Sequence, residues 1–293
     1  MWHSRPRLCF SPGHSRGRLC HLDASVDRKI KRFPMSTTLK ILTVSDLHQS
    51  RVLYDQLRQA VERHRPDLVA MVGDVLDATQ NDRDQDPSKA ECAKHLAGLP
   101  CKEIVFARGN HEDEGWMPFD IAWEKTGRPL NALHAEAFRF GPLVIVGFPC
   151  LMGEDTFFLG PRPPAPSDPA DWLSPILKTY GSASRTLWLM HEPPRGTALS
   201  EEEGPLSGNT EWAVAIERYS PLMVVFGHDH NTPRRSNRWR DKIGATFCMN
   251  VGQKLDGPLH YSVIEAAFSS EKPSLPAKMK VTSYPYKQSS DVR

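Results

Sequence analysis

Residues 68–77 read LVAMVGDVLD: five apolar residues, a glycine, then two aspartates three positions apart, Asp74 and Asp77. An unbroken apolar run of this length suits a strand buried on both faces, as in layered α/β sheets. Gly73 permits a sharp turn and a close backbone approach directly after it. The stretch therefore sets a carboxylate at the carboxyl end of a buried strand, where α/β sheets bind their ligands.

The same grammar repeats along the chain. Strands are expected over Leu39–Val44 (LKILTV), Ile104–Ala107, Leu143–Phe148 (LVIVGF), Leu187–Met190, Leu222–Phe226 (LMVVF) and Ala245–Asn250. A helix is expected over Val52–His64, with Leu53, Leu57, Ala60 and Val61 on one face, and others over 88–98 and Thr210–Tyr219. Pro161, Pro163, Pro164, Pro166 and Pro169 mark Pro149 to about Tyr180 as a long loop carrying a short helix near Trp172–Lys178. There is no internal repeat. Residues 35–293 are expected to form a single layered α/β domain.

The 293 residues are 39% hydrophobic and 25% charged, a balance that suits a globular fold with a large core. No stretch of about 18 or more apolar residues offers a membrane span. Eight of the 37 Lys and Arg, but only two of the 35 Asp and Glu, fall in residues 1–34. The remainder holds 29 basic and 33 acidic residues, a mildly acidic body without the basic footprint of a nucleic-acid binder. Cys9, Cys20, Cys92, Cys101, Cys150 and Cys248 form no C-x-x-C pair and read as free thiols of a reducing, cytoplasmic setting. Residues 1–34 lack the apolar core of a secretory signal and read as a disordered leader, or as the product of a start set upstream of Met35. A transit peptide is an alternative. A metal knuckle from Cys9, His14, Cys20 and His21 has a spacing that fits no common zinc pattern.

The residues just past each strand carry the chemistry. Five strand ends deliver Ser45-Asp46-Leu47-His48, Gly73-Asp74-Val75-Leu76-Asp77, Gly109-Asn110-His111-Glu112, His191-Glu192-Pro193 and Gly227-His228-Asp229-His230. Carboxylate, amide oxygen and imidazole together suit Mn, Fe, Zn, Co or Ni, and the lack of thiolate argues against structural zinc. On extended backbone, residues i and i+2 point the same way. Asp46 with His48, and His228 with His230, are thus expected to face one spot, with Gly73, Gly109 and Gly227 giving room.

The ordered set D-x-H, G-D-x-x-D, G-N-H-E, a lone histidine after a strand, and G-H-x-H resembles the calcineurin-like metallophosphoesterases over about Leu39 to Gly252. The resemblance implies a sheet sandwich flanked by helices, with two metal ions at the strand C-terminal ends. It implies one metal on Asp46, His48, Asp74 and His230, and another on Asp74, Asn110, His191 and His228, with Asp74 bridging. It further implies a hydroxide between the metals as nucleophile. His111 would be a catalytic proton donor or transition-state stabiliser. Asp77 and Glu112 would orient histidine side chains, although Asp77 could equally cap a helix. Arg108 could reach a substrate phosphate or pair at the surface with Glu103 or Asp113, and Arg51 has similar standing. Trp116, Phe157 and Phe158 could wall the pocket or simply pack. Asn250-Val251-Gly252-Gln253 is similar to the family's closing turn, with Val251 as a departure in backbone shape.

The resemblance points to a hydrolase for a small phosphoester. A phosphodiester is favoured, because its poor leaving group benefits from a proton donor. A monoester or pyrophosphate substrate shares the same motifs. A non-catalytic scaffold would be expected to have lost ligands, and here the set is complete. A nuclease fits poorly with the acidic body.

Overall fold

The apolar runs become strands, and alternation within them sorts side chains between separate cores. The computed structural model describes residues 36–77, 87–112, 116–148, 169–200, 208–253, 257–269, 276–285 and 287–292. These belong to one compact unit spanning Pro34–Arg293. The leader, the Cys9–His21 knuckle, Phe157 and Phe158 lie outside the described residues, as does the Trp116 side chain.

The chain begins with β1 (Ser36–Val44), α1 (Arg51–His64), β2 (Leu68–Val72), α2 (Lys89–Ala97), β3 (Glu103–Ala107), α3 (Trp116–Glu124) and β4 (Asn131–Leu133). It continues through β5 (Glu136–Phe140), β6 (Leu143–Gly147), α4 (Ala170–Tyr180), β7 (Thr186–Leu189), α5 (Thr210–Tyr219), β8 (Met223–Phe226), α6 (Thr232–Ser236), β9 (Arg240–Ile243) and β10 (Thr246–Asn250). It closes with β11 (Tyr261–Ser269), β12 (Pro276–Tyr284) and β13 (Gln288–Asp291).

Two sheets result. One runs β13-β12-β11-β1-β2-β3-β4, the other β5-β6-β7-β8-β10-β9. In β2, Val69 and Met71 face α1, α2 and α3, packing with Leu53, Leu57, Leu96 and Phe119. Its neighbours Leu68, Ala70 and Val72 face the second sheet and meet Ile145, Leu189 and Val225. The outer face of that sheet packs Val146, Trp188 and Val224 against Leu173 of α4 and Trp212 and Ile216 of α5. The order of layers is helix, sheet, sheet, helix. Each fully buried aliphatic side chain contributes about 1.5–3 kcal/mol, so three such cores hold the strand ends firmly in place.

Local signals set the helix ends. Buried Leu53, Tyr54, Leu57, Ala60 and Val61 recur at helical spacing along α1, which stops where Arg65 turns left-handed (φ 46°). Ser88 and Glu91 form a reciprocal capping box on α2. Asn209 caps α5 through the N–H groups of Glu211 and Trp212.

Three features go beyond what the sequence conveyed. The helix placed near Trp172–Lys178 runs from Ala170 to Tyr180, with Pro175 inside it. The five motif-bearing strand ends do not line one sheet: β1, β2 and β3 belong to one, and β7 and β8 to the other. The sheet also continues past Gly252, because β11 pairs antiparallel with β1 from Tyr261 onward and β12 pairs with β11. Among the described residues, no helix is long and apolar enough to cross a membrane.

Candidate metal centre

The parallel strands β1, β2 and β3 end side by side, as do β7 and β8. The turns leaving these strands all approach one small volume. Gly73 (φ 83°) lets the Asp74 turn press against Gly109: a Cβ on Gly73 would lie 2.7 Å from the Gly109 Cα and would overlap the His191 ring. A Cβ on Gly109 would lie 2.7 Å from the Asp74 nitrogen. Neither position has room for a side chain, which is the physical reason for glycine at both.

The donor atoms gather in overlapping sets. Asp46, His48 and His230 can each direct one ligand atom to a common point, as can Asp74, His191 and His228. A third set, His48, Asp77 and His111, shares His48 with the first. His230 Nε2 lies 3.0 Å from Asp46 Oδ1 and 3.4 Å from His48 Nε2. His191 Nε2 lies 3.0 Å from Asp74 Oδ2 and 3.9 Å from Asp46 Oδ1. His48 Nε2 lies 4.0 Å from Asp74 Oδ2. Asp46, Asp74 and His191 are fully or almost fully buried.

Two atoms there are orphaned. Among the described residues, the buried Asn110 Oδ1 and His191 Nε2 have no hydrogen-bond partner. His191 Nδ1 sits 2.8 Å from the Val72 carbonyl, so Nδ1 carries the proton and Nε2 presents a lone pair. That lone pair faces a carboxylate oxygen without the geometry of a hydrogen bond. A buried lone pair set against a buried anion calls for a cation between them. Oxygen and imidazole donors in this number suit a transition-metal ion.

The charges carry the same message. Burial alone would raise the Asp46 carboxyl, but the nearby His230 and His191 lower it to about 2. Burial also works against ionised Asp74, yet His191, His111 and His48 hold it well below the usual carboxylate range. Burial disfavours a charged His191, but the Asp74 and Asp46 carboxylates raise it to about 10. Burial lowers His48, whose environment favours the neutral ring a metal needs. The protein thus holds anions that demand positive charge, which a second proton on His191 supplies until a metal ion takes its Nε2.

His111 and its neighbours stand apart from the orphaned donors. His111 Nδ1 lies 3.2 Å from Asp77 Oδ1, and its Nε2 lies 3.8 Å from Asp74 Oδ2. Burial works against protonation of His111, but the Asp77 hydrogen bond and the Asp74 and Asp77 charges outweigh it and raise its pKa. Glu112 was expected to orient a histidine, and its hydrogen bonds go elsewhere. It accepts the backbone N–H of Asp74 (2.9 Å), Leu76 (3.0 Å) and Gly109 (2.6 Å), pinning two turns together. Arg108 ends half-buried between β3 and Gly109.

The extended-backbone argument for D-x-H and H-x-H does not hold. Asp46 (φ 55°), His48 (φ 41°) and His228 (φ 66°) are left-handed, so tight turns bring these side chains round. Sequence reasoning also assigned no side-chain role to several supporting residues. Ser45 donates its hydroxyl to Asp46. Asn250 donates to the carbonyls of Leu199 and Asp229 and accepts from Gly252, tying three loops to the closing turn. His260 joins that turn to the C-terminal hairpin through the Gly252 carbonyl and Ser283.

A four-layer α/β sandwich with such a cluster at its strand ends is the architecture of the metallophosphoesterases. The chain belongs to the calcineurin-like phosphoesterase family, whose model matches residues 39–232. Its reaction class is therefore metal-dependent phosphoester hydrolysis. No curated protein sequence matches the chain. Solved structures with a similar fold include a protein from Thermus thermophilus, 16% identical over 88% of this chain and 100% of that one, at a TM-score of 0.57. A dimetal phosphatase from Danio rerio is 16% identical over 89% and 99%, also at 0.57. A purple acid phosphatase from yellow lupin, Lupinus luteus, is 14% identical over 88% and 54%, at 0.53. At these identities the likeness concerns the fold.

Proposed function

We propose that the protein is a two-metal phosphodiesterase for a small substrate. Asp46, His48, Asp74 and His230 would hold one ion. Asp74, Asn110, His191 and His228 would hold the other, with Asp74 shared. The observation that carries this reading is the orphaned His191 Nε2, 3.0 Å from the Asp74 carboxylate, together with the likewise orphaned Asn110 Oδ1. Two cations so held lower the pKa of a water and offset charge on the phosphoryl oxygens.

The chain's own groups do the rest. The Val72 carbonyl keeps the His191 lone pair turned inward. Asp46 is fixed by the His228 backbone N–H, at 3.1 Å from Oδ2. His111, steered by Asp77 and partly open to solvent, can present a proton at Nε2 to a departing alkoxide. The alkoxide leaving group of a diester would take that proton, as would that of a monoester, so relative hydrolysis rates decide between the two. Arg108, beside Asn110 and His111 in sequence, is proposed to meet a phosphate oxygen.

The test uses the full chain, stripped of metal and titrated with Mn²⁺, with binding followed calorimetrically. Hydrolysis of bis(p-nitrophenyl) phosphate is compared with that of p-nitrophenyl phosphate, and Asp74→Ala is the control. The expected result is two Mn²⁺ per chain and diester turnover that is lost in the variant. Faster monoester turnover would overturn the substrate class and leave the metal reading standing. Binding of fewer than two Mn²⁺ would overturn the metal reading.

A further inference from the structure

The turn after β1 and the turn after β2 are laced together along their backbones. The N–H of Asp46 reaches the Gly73 carbonyl at 3.0 Å, that of His48 reaches Asp74 at 2.9 Å, and that of Gln49 reaches Val75 at 3.1 Å. One side chain carries the lace further. Gln49 is buried, with a left-handed backbone at φ 56°. Its Oε1 accepts the backbone N–H of Asp77 at 3.0 Å, and its Nε2 donates to the Pro87 carbonyl at 3.0 Å. Asp77 in turn meets His111 Nδ1 at 3.2 Å. A carboxylate can only accept, so this contact fixes the proton on Nδ1 and leaves Nε2 as the working atom.

A planar carboxamide is what this position requires. It must accept from one backbone N–H and donate to one carbonyl, both in a buried setting where an unmet partner is costly. A glutamate at Gln49 could accept and not donate, and a methionine of similar length could do neither. The path from Gln49 to the reaction runs through one backbone amide, one carboxylate and one imidazole.

We propose that Gln49 is a positioning residue for His111: its carboxamide fixes the backbone at Asp77 and so the carboxylate that aims the imidazole. This rests on the reading of His111 as proton donor. Nothing in the motif pattern singles Gln49 out, because the residue after D-x-H carries no ligand.

The test compares wild type, Gln49→Met, His111→Ala and the double variant at saturating Mn²⁺. The substrates are p-nitrophenyl and phenyl esters of whichever phosphate series is turned over. A lost proton donor harms the poor phenolate leaving group more than the good p-nitrophenolate one. Gln49→Met is expected to slow the phenyl ester about tenfold more than the p-nitrophenyl ester, and to have little further effect once His111 is removed. A second readout needs no turnover. In metal-free protein with ¹⁵N-labelled histidine, the His111 Nδ1–H signal, assigned by its absence in His111→Ala, is expected to weaken in Gln49→Met through faster exchange with water.

If His111→Ala slows both esters equally, the proton-donor reading fails. If His111→Ala discriminates between them and Gln49→Met does not, or if the two effects multiply in the double variant, the Gln49 proposal is overturned. An unchanged Nδ1–H signal also overturns it. Thermal melting checks that Gln49→Met folds. Should it not, Gln49→Leu, which likewise neither accepts nor donates, is judged by the same ratios and signal.

Discussion

In the metal-free protein, Glu112→Gln should gain stability relative to wild type as pH rises, although it alters the family motif. Glu112 is fully buried. Burial first, and then the adjacent Asp74 charge, raise its carboxyl from 4.5 to about 7, against the opposing pull of the Leu76 and Gly109 N–H groups. The fold therefore prefers the neutral acid. Stability from this group is present in full below pH 4.5 and is lost as pH rises through about 7. The gap corresponds to about 3 kcal/mol, on the order of 6–12 °C in Tm for a chain of this size. Glutamine stays neutral throughout, but its amide nitrogen cannot accept the backbone N–H that one carboxylate oxygen takes, a pH-independent cost of about 1–3 kcal/mol. Metal-stripped wild type and Glu112→Gln are melted side by side from pH 4.5 to pH 8. The variant should melt below wild type at the acid end, and the Tm difference should move in its favour by about 6–12 °C as pH rises through 7. With Mn²⁺ bound, the Asp74 charge is neutralised and this movement should shrink. A Tm difference that is flat with pH, or one that moves against the variant as pH rises, would refute the reasoning.

Two further substitutions separate stability from chemistry. Arg128 donates to the carbonyls of Ala97 (2.8 Å), Leu99 (2.6 Å) and Cys101 (2.6 Å), clamping the connection from α2 to β3. Arg128→Ala should cost about 2–4 kcal/mol in urea unfolding and leave kcat/KM of the folded enzyme unchanged. Asp229, between His228 and His230, accepts from the N–H groups of Asn231 and Thr232 and from the Thr232 hydroxyl. Asp229→Ala should cost about 1–2 kcal/mol and weaken Mn²⁺ binding measured calorimetrically; unchanged affinity would show that the turn holds its shape without it.

The candidate site was legible because metal chemistry restricts residue type at each position, and each motif lies within a few residues of a buried strand. What the motifs could not convey is how strand ends far apart in sequence meet. Nothing in Gly109-Asn110-His111-Glu112 or in His191-Glu192-Pro193 says that they come from facing sheets. The β12 strand carries a local signal, with Met279 and Val281 inward and Lys278 and Lys280 outward. Its place beside β11 is a local hairpin, but that of β11 beside β1 depends on pairing across more than 200 residues of chain, as in Thr37 with Phe268. The role of Glu112, and Gln49 and His260 altogether, escaped for a related reason. Their partners are backbone groups or a distant Ser283, and a hydrogen bond to a backbone amide leaves no mark on the partner's residue type.

Backbone conformation shows why the site is shaped before any ion arrives. Among the described residues, ten other than glycine have positive φ, and five of them are Asp46, His48, Gln49, Asp74 and His228. Several of the rest end helices, where such a turn is common: Arg65, Ser220 and Asn237. At the centre no helix end accounts for it. Sparsely populated conformations cost on the order of 1–3 kcal/mol each, with aspartate and histidine toward the milder end. Five together are a large share of the roughly 5–15 kcal/mol that holds a typical domain folded. Such turns persist only where their surroundings over-determine them, and here the surroundings are identifiable. The backbone lace from Asp46, His48 and Gln49 to residues 73–75 supplies one set of restraints, and the three N–H groups converging on Glu112 supply another. Neither set involves a metal. The ligand spacing is therefore a property of the protein, and an arriving ion need not order these turns. What an ion would relieve is the crowding of Asp46 and Asp74 against the orphaned His191 Nε2, so its binding energy would go into charge neutralisation more than into folding.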